Sequence, residues 1–475
     1  MPKRTAGSIL APFRGGQPLG STSGSRRAHD AGTRMQPDLR TSLALLESRG
    51  LLLRIRHPVD PRTQLAALIT EAERRGQAIL FESVVSFTMP VVANVVGGRR
   101  LLALCLGIEP AALVRTFLER SRERISPVIV GEAPVQEVVE TGARVDLRRL
   151  PLVVHSEKDA GPYLTAGLVI AQDPETGRRN VSFNRMMLRG SDELGIRMMA
   201  PQQLGQLYDK AAAQGHALPV AVAIGNHPAE LAAGATTLPL GDDELGLAGA
   251  LRAEPLELAK CVTVDLEVPA RAEIVLEGEV LAGVAEPEGP YGDFMQFYIP
   301  VMANRVLRVH AITRRRDAIH QTMHAGQAED TALLAVSREA QLLEAIQATG
   351  ADVREVSLGP TILAAAIAIR KRFEGEPKQV LAAAFGRYRW LKLCVVVDED
   401  VDVLDVADLW WAIATRSRLA SGLMHLTDVA GFPRDPHGLH TAKVGIDATI
   451  PLGQWAQYER KRPPGHRRVR LEDFL

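Results

Sequence analysis

The segment Asn180-Val-Ser-Phe-Asn-Arg185 places an arginine beside an alternating run of short polar side chains. Read as a strand, it points Asn180, Ser182 and Asn184 one way and Arg185 the other. A guanidinium fork is the usual partner of a substrate carboxylate, although a structural ion pair uses the same group. A second segment, Glu288-Gly-Pro-Tyr-Gly-Asp293, is a turn that brings two carboxyls near each other. Such carboxyls can titrate apart, one staying charged while the other serves as an acid; two solvated turn acids are the plainer reading. A third, the acid run Asp242, Asp243 and Glu244 in PLGDDELG, offers oxygens to a hard cation, as surface loops also do. The chain carries no GxxxxGKS/T, no GxGxxG after a strand, no HExxH and no GxSxG.

The surrounding pattern has three textures. From Pro37, PDLRTSLALLESRG reads as an amphipathic helix with Leu39, Leu43 and Leu46 on one side. LLLRIRH follows as a strand and TQLAALITEAERRG as a helix ending at Gly76. AILFESV and PVVANVV are short β-rich runs, and RRLLALCLGI and EPAALVRTFLERSRER are helical. This is a small α/β unit over 37–125. Residues 126–315 are β-rich, with TAGLVIAQ, RNVSFNRMML, LPVAVAIG, AEIVLEGEVLAGV and RVLRVHAIT spaced by Gly, Pro and Asp. Helices PQQLGQLYDKAAAQG and AELAAGA interrupt them, and a β-barrel or strongly curved sheet is the expected core. Residues 316–475 return to alternation. There TILAAAIAI and LKLCVVVDED read as strands buried on both faces, between helices SREAQLLEAIQATG, KQVLAAAFG and VADLWWAIATRSR. Beyond Ser417 no regular pattern is expected. The basic tail, Arg460, Lys461, Arg462, Arg467, Arg468 and Arg470, reads as a solvated face or an oligomer contact.

Composition narrows the function. The chain has 475 residues, 46% hydrophobic and 24% charged, with 56 basic and 56 acidic side chains. This excludes a disordered or disulfide-stapled chain and argues against a dedicated nucleic-acid binder. Aromatics at 4% also argue against a base-stacking platform. Residues 1–36 hold six basic residues against Asp30, which leaves the remaining 439 at a net charge of about −5. That leader reads as a disordered extension, or as a start upstream of a true initiator at Met35, more than as an organelle transit peptide. Cys105, Cys261 and Cys394 lie far apart in apolar runs, read as reduced core thiols, and point to the cytoplasm. No apolar run approaches a membrane span.

Taken in order, HSEKDAGPYLTAGLVIAQDPETG, NVSFNRM, ATTLPLGDDELGLAGAL, VPARAEIVLEGEV, EGPYGDF, VVVDEDVDV, DLWWAIATR and GIDAT resemble the UbiD family of decarboxylases, which use prenylated flavin mononucleotide. The resemblance runs from about Pro37 to the end of the chain. It implies an α/β (α+β multidomain) fold: an N-terminal α/β domain, a central flavin-binding split β-barrel and a C-terminal α/β domain used in dimerisation. It implies reversible, non-oxidative decarboxylation of an aromatic, heteroaromatic or α,β-unsaturated acid. A flavin prenyltransferase would supply the cofactor, and a homodimer or higher homo-oligomer is expected.

By the same resemblance Arg185 is the catalytic arginine, Glu288 the glutamate it contacts, and Asp293 the second acid. Thr165, Ser182, Phe183, Asn184, Arg185, Gln202, Gln203 and Pro239 fall at flavin-contacting positions. Asn180, Gln203 and Glu244 fall at ligands of a divalent cation, manganese or magnesium, with potassium a further candidate. The family usually has His where this chain has Gln203. An amide oxygen suits a hard ion better than a transition metal. Three outcomes are therefore open: a harder ion, a phosphate held without a full metal site, or weak cofactor binding. Losing CO2 from an sp2 carbon leaves an anion that no side chain can delocalise, so an electron sink is required. Arg185 would take the carboxylate and orient Glu288. Glu288, with a raised pKa near a hydrophobic flavin face, would protonate the carbon, and Asp293 would tune the pair. Two rivals are an ordinary flavin reduced by a nicotinamide, and a non-catalytic subunit with a degenerate metal site.

Overall fold

The computed structural model describes residues 37–198, 202–435, 440–465, 469–470 and 474. The basic leader with Met35, and Arg467 and Arg468 of the tail, lie outside the described residues.

The first helix, Leu39–Ser48, buries Leu39, Leu43 and Leu46, as its spacing requires, and Asp38 caps it by accepting from the Thr41 amide. It packs beside a four-stranded sheet in the order Leu52–Ile55, Ala78–Phe81, Val91–Ala93, His320–Gln321. The last of these strands arrives from far along the chain, and His320 pairs in parallel with Val91.

A nine-stranded antiparallel sheet forms the middle of the molecule. Its longest strands, Ile274–Glu288 and Met302–Arg314, lie side by side, flanked by Leu218–Ile224 and Glu193–Ile196. Leu168–Gln172 and Arg179–Phe183 complete one end. Both faces are covered. Val169, Val220 and Val222 enter one core, with Leu204 and Leu207 of the helix Gln203–Ala213. Leu168, Ile170, Ala221 and Ala223 enter the other, with Leu245 and Leu251 of the helix Glu244–Arg252. Such strands read as continuous apolar runs, which is why the period-2 signal in Ile274–Glu288 is only partial. The curled sheet agrees with the expected split barrel, and the mixed α/β composition with the expected fold class.

The third layer is a five-stranded sheet in the order Asp352–Leu358, Ala364–Arg370, Leu393–Asp398, His440–Ala448, Leu423–Ala430. Here the sequence reading needs correction, because regular structure does not end at Ser417. Leu423–Ala430 is an edge strand, largely exposed, whose register slips between Leu426 and Val429 where Asp428 takes a positive φ. A bulged, half-exposed edge strand shows neither clean alternation nor an apolar run. The tail is corrected as well: Arg460 pairs with Asp408 and its guanidinium lies 3.8 Å from the Trp411 ring centre, so it is no free solvated charge. Cys105 and Cys394 are buried and Cys261 is half-buried, and burial pushes the Cys105 thiol up to about 12. Among the described residues no single helix is long and apolar enough to cross a membrane.

The long central pair turns on one glycine. At the register shift between Glu277 and Gly278, a Cβ on Gly278 would collide with the Arg308 carbonyl of the neighbouring strand. Gly278→Ala is expected to destabilise the fold by about 1–3 kcal/mol, read as a lower denaturant midpoint. Gly190→Ala, which would meet open space, is expected to change it by less than about 0.5 kcal/mol.

Candidate active site

Arg185 does not continue the strand before it. That strand ends at Phe183 and the next begins at Met186. In the gap, Ser182 Oγ donates to Asn184 Oδ1 at 3.0 Å, and Asn184 Nδ2 donates to the Arg197 carbonyl at 2.8 Å. The Arg197 amide donates to the Arg185 carbonyl at 3.1 Å. Side-chain bonding of this kind competes with the ladder. The expected alternation is thereby corrected: Asn184 and Arg185 do not point to opposite faces of one strand but line the same cavity, of about 200 Å³.

Arg185 is almost wholly buried and pairs with Glu288 through Nε alone, at 3.1 Å from Oε1. Among the described residues its terminal nitrogens make no hydrogen bond. The guanidinium stacks on Tyr291, 4.3 Å from the ring centre. Glu288 ends the strand Ile274–Glu288 with its side chain fully buried. Tyr163 Oη donates to Oε1 at 2.9 Å, and Asn304 Nδ2 donates to Oε2. Asn304 in turn accepts from Arg197 Nη1 at 2.9 Å. Burial, then the Glu288 charge, pushes the Tyr163 hydroxyl well up, so it stays protonated as a donor. Asp293, also buried, does not touch this pair. It accepts from Arg434 at 3.0 Å across the same cavity. Near it the half-buried Asp330 accepts the Gly326 amide at 2.8 Å and is pushed up to about 6 by desolvation.

A second cavity of about 290 Å³ shares Thr165, Phe183, Gln202 and Trp390 with the first, so the two are one cleft. Ser182 and Gln203 line its wall, with Asn180 and Glu244. Pro239 is exposed and lines neither cavity. The three acids of the 242–244 run separate. Asp242 lies 3.7 Å from Arg124, while Asp243 caps the helix Glu244–Arg252 and pairs with Arg179 at 3.0 Å. Glu244 alone turns inward, where its Oε2 accepts the Val181 amide at 3.0 Å and burial pushes it up to about 7.

Asn180, Gln203 and Glu244 do meet. Asn180 Nδ2 donates to Gln203 Oε1 at 2.7 Å, and Gln203 Nε2 donates to the Leu238 carbonyl at 2.9 Å. Among the described residues the buried Asn180 Oδ1 has no hydrogen-bond partner. That orphan acceptor and the desolvated Glu244 carboxylate are oxygen donors suited to a hard cation. Gln203 is already bonded at both ends of its amide, and no group of three or more His, Cys, Asp or Glu converges for a metal among the described residues.

Sequence reasoning missed Tyr163, Asn304, Arg197 and Arg434. Tyr163 and Asn304 sit in β-rich runs where nothing local marks them. Arg197 and Arg434 carry no spacing signal, since they reach the cleft only through pairing between distant segments.

Comparison with known proteins gives this geometry a family. Residues 43–121, 128–328 and 331–448 match, in turn, the N-terminal, Rift-related and C-terminal domains described for 3-octaprenyl-4-hydroxybenzoate carboxy-lyase, UbiD. The chain belongs to the UbiD family. It is 35% identical over 408 residues to the anhydromevalonate phosphate decarboxylase of Methanothermobacter thermautotrophicus, covering 85% of this chain and 95% of that one. The UbiD-class enzyme HmfF from Pelotomaculum thermopropionicum, in complex with FMN, superposes with a TM-score of 0.89 at 39% identity, over 92% of this chain and all of HmfF. An evolved dimeric form of HmfF, in complex with prFMN, gives 0.86 at 38%, over 93% and 100%. Apo 3,4-dihydroxybenzoic acid decarboxylase of Klebsiella pneumoniae gives 0.86 at 29%, over 93% and 99%. Like its family, this UbiD protein is a carboxy-lyase.

The donors around Glu288 carry a structural test. Tyr163→Phe and Asn304→Leu each remove one hydrogen bond to a buried carboxylate, and each is expected to cost about 1.5–3 kcal/mol of stability. Denaturant unfolding measures it, and a double variant that costs less than the sum identifies one shared network.

Proposed function

We propose that this UbiD-family chain removes CO2 reversibly and without oxidation from an aromatic, heteroaromatic or α,β-unsaturated acid, using prenylated FMN in the two-cavity cleft. The observation that carries the reading is the buried Arg185–Glu288 pair, which among the described residues leaves the guanidinium fork unbonded beside the cleft. Arg185 takes the substrate carboxylate on its terminal nitrogens, as planar bidentate recognition requires. Tyr291 beneath it keeps the ion pair dry. Glu288, once it has taken up a proton from solvent in place of one of the hydrogen bonds that Arg185 and Tyr163 donate to it, is the acid that would deliver that proton to the carbon that loses CO2. Asp293 acts at one remove by holding Arg434.

Prenylated FMN, when bound, supplies the electron sink that side chains lack. Thr165, Ser182, Phe183, Asn184, Gln202 and Gln203 would hold it, and Asn180 Oδ1 with Glu244 would hold a divalent cation, manganese or magnesium, at its phosphate end. A flavin prenyltransferase, a homodimer or larger homo-oligomer, and a cytoplasmic setting belong to the same reading, as does the division at 37–125, 126–315 and 316–475.

Protein co-expressed with a flavin prenyltransferase is the material for the test. Glu288→Gln is expected to retain flavin, while CO2 release and deuterium exchange into the product fall by about 10²–10⁴-fold. Turnover at the unaltered rate would refute the proton assignment. After treatment with a chelator, added Mn²⁺ is expected to raise the melting temperature, since it binds the native state. Asn180→Ala is expected to abolish that rise, and an unchanged rise would remove Asn180 from the cation site.

A further inference from the structure

Behind the cleft wall three side chains form a hydrogen-bonded chain. His155 Nε2 lies 2.8 Å from Thr322 Oγ1, and Thr322 Oγ1 lies 3.3 Å from Thr165 Oγ1. Thr165 Oγ1 also accepts the Met323 amide at 3.0 Å, and Thr165 lines both cavities. Thr322 is fully buried and His155 nearly so. The Thr322 amide donates to the Val92 carbonyl at 3.0 Å, which anchors the chain to the N-terminal sheet. Among the described residues His155 Nδ1 is buried with no hydrogen-bond partner. Burial holds His155 well below the usual histidine range, and the nearby His320 and His324 are held down to about 4 for the same reason. The His155 ring is therefore neutral, and what it can vary is its tautomer rather than its charge.

With every hydroxyl proton bonded, such a chain runs in one of two directions. In the first, His155 Nε2–H donates to Thr322 and Thr322 donates to Thr165. The Thr165 oxygen then receives two protons, from Thr322 and from the Met323 amide, and its own proton turns into the cleft. In the second, Thr165 donates to Thr322, Thr322 donates to His155 Nε2, and Thr165 offers the cleft only a lone pair. The orphan Nδ1 decides between them. The second direction buries an N–H without an acceptor, whereas the first leaves only a bare lone pair, the commoner exception in folded proteins. We propose, resting on the flavin reading above, that His155 and Thr322 are positioning residues that fix Thr165 as a hydrogen-bond donor to the cofactor. Thr165 lies where the two cavities meet, so the atom it serves is an acceptor of the flavin ring system, a carbonyl oxygen or an unprotonated nitrogen.

The test has two arms. In the first, NMR of flavin-free protein with isotope-labelled histidine nitrogens reads the tautomer directly, the His155 signals being those lost in His155→Gln. A protonated Nε2 with a bare Nδ1 is expected, and a protonated Nδ1 overturns the proposal. In the second, FMN is titrated into flavin-free protein, which decides the matter even if His155→Gln fails to fold. Thr165→Val is expected to weaken FMN binding by about three- to tenfold, the scale of one hydrogen bond, and Thr165→Ser to bind FMN like the unaltered protein. Thr322→Val is expected to weaken it by about threefold, and to weaken it no further when Thr165 is already valine. Additive losses would show that Thr322 acts on the fold rather than through Thr165, and overturn the proposal, as would full FMN affinity in Thr165→Val. CO2 release by the unaltered enzyme alongside either of those results sinks this inference alone. Failure of the unaltered protein to bind FMN counts against the flavin reading and against a flavin as the acceptor, while the tautomer still decides the direction of the chain.

Discussion

A carboxylate shut away from water must be matched by donors that the chain itself supplies, and Glu288 imposes that demand on the whole middle layer. Its three partners come from three places: Tyr163 from a short edge strand, Arg185 from a break between strands, Asn304 from the long strand beside its own. They can meet only if the nine-stranded sheet curls, because Tyr163 and Asn304 belong to segments far apart in its order. The break at Asn184 and Arg185 follows from the same demand. A residue locked into the ladder would present its side chain to one of the two packed cores, whereas the gap frees Arg185 to turn toward the cleft.

Because the pair is held through Nε, the remaining edge of Arg185 is preorganised and, among the described residues, carries no hydrogen bond. Charge recognition in a dry site gains strength from the low local dielectric, and the groups that provide it need not reorganise when ligand arrives. The neighbouring cavity follows a different rule. Its polar residues Asn180, Gln203 and Glu244 bond to one another and to backbone, and one acceptor, Asn180 Oδ1, is left over. Imidazole at position 203 would offer a ring nitrogen to a metal. The amide that stands there instead ties Asn180 to the Leu238 carbonyl, so the chemistry of this corner passes to two oxygens.

Much of this was legible in the sequence, and unevenly so. Local amphipathicity marked Leu39, Leu43 and Leu46, and continuous apolar runs marked Ala364–Arg370 and Leu393–Asp398, because burial on one face or on both leaves a direct trace in the residue pattern. The ordered motifs located Arg185, Glu288 and Asp293. They did not reveal that Asp293 serves Arg434 rather than the Arg185–Glu288 pair, since Arg434 reaches it from the C-terminal layer, well over a hundred residues away in sequence. The strands after Ser417 were invisible for the opposite reason: an exposed, bulged edge carries little burial to record.

The balance of 56 basic and 56 acidic side chains conceals how unequally charge is placed. Most ion pairs here are exposed or half-exposed, each contributing little to stability. The consequential charges are the few that are buried, and around the cleft these are acids: Glu244, Glu288 and Asp293. A buried carboxylate relieves its burial either by taking up a proton or by drawing donors to it, and Glu288 draws Tyr163, Arg185 and Asn304. Arg197 is placed by Asn304, and Asn304 also holds Glu288. One amide thus links a second arginine of the cleft to the group that would deliver the proton.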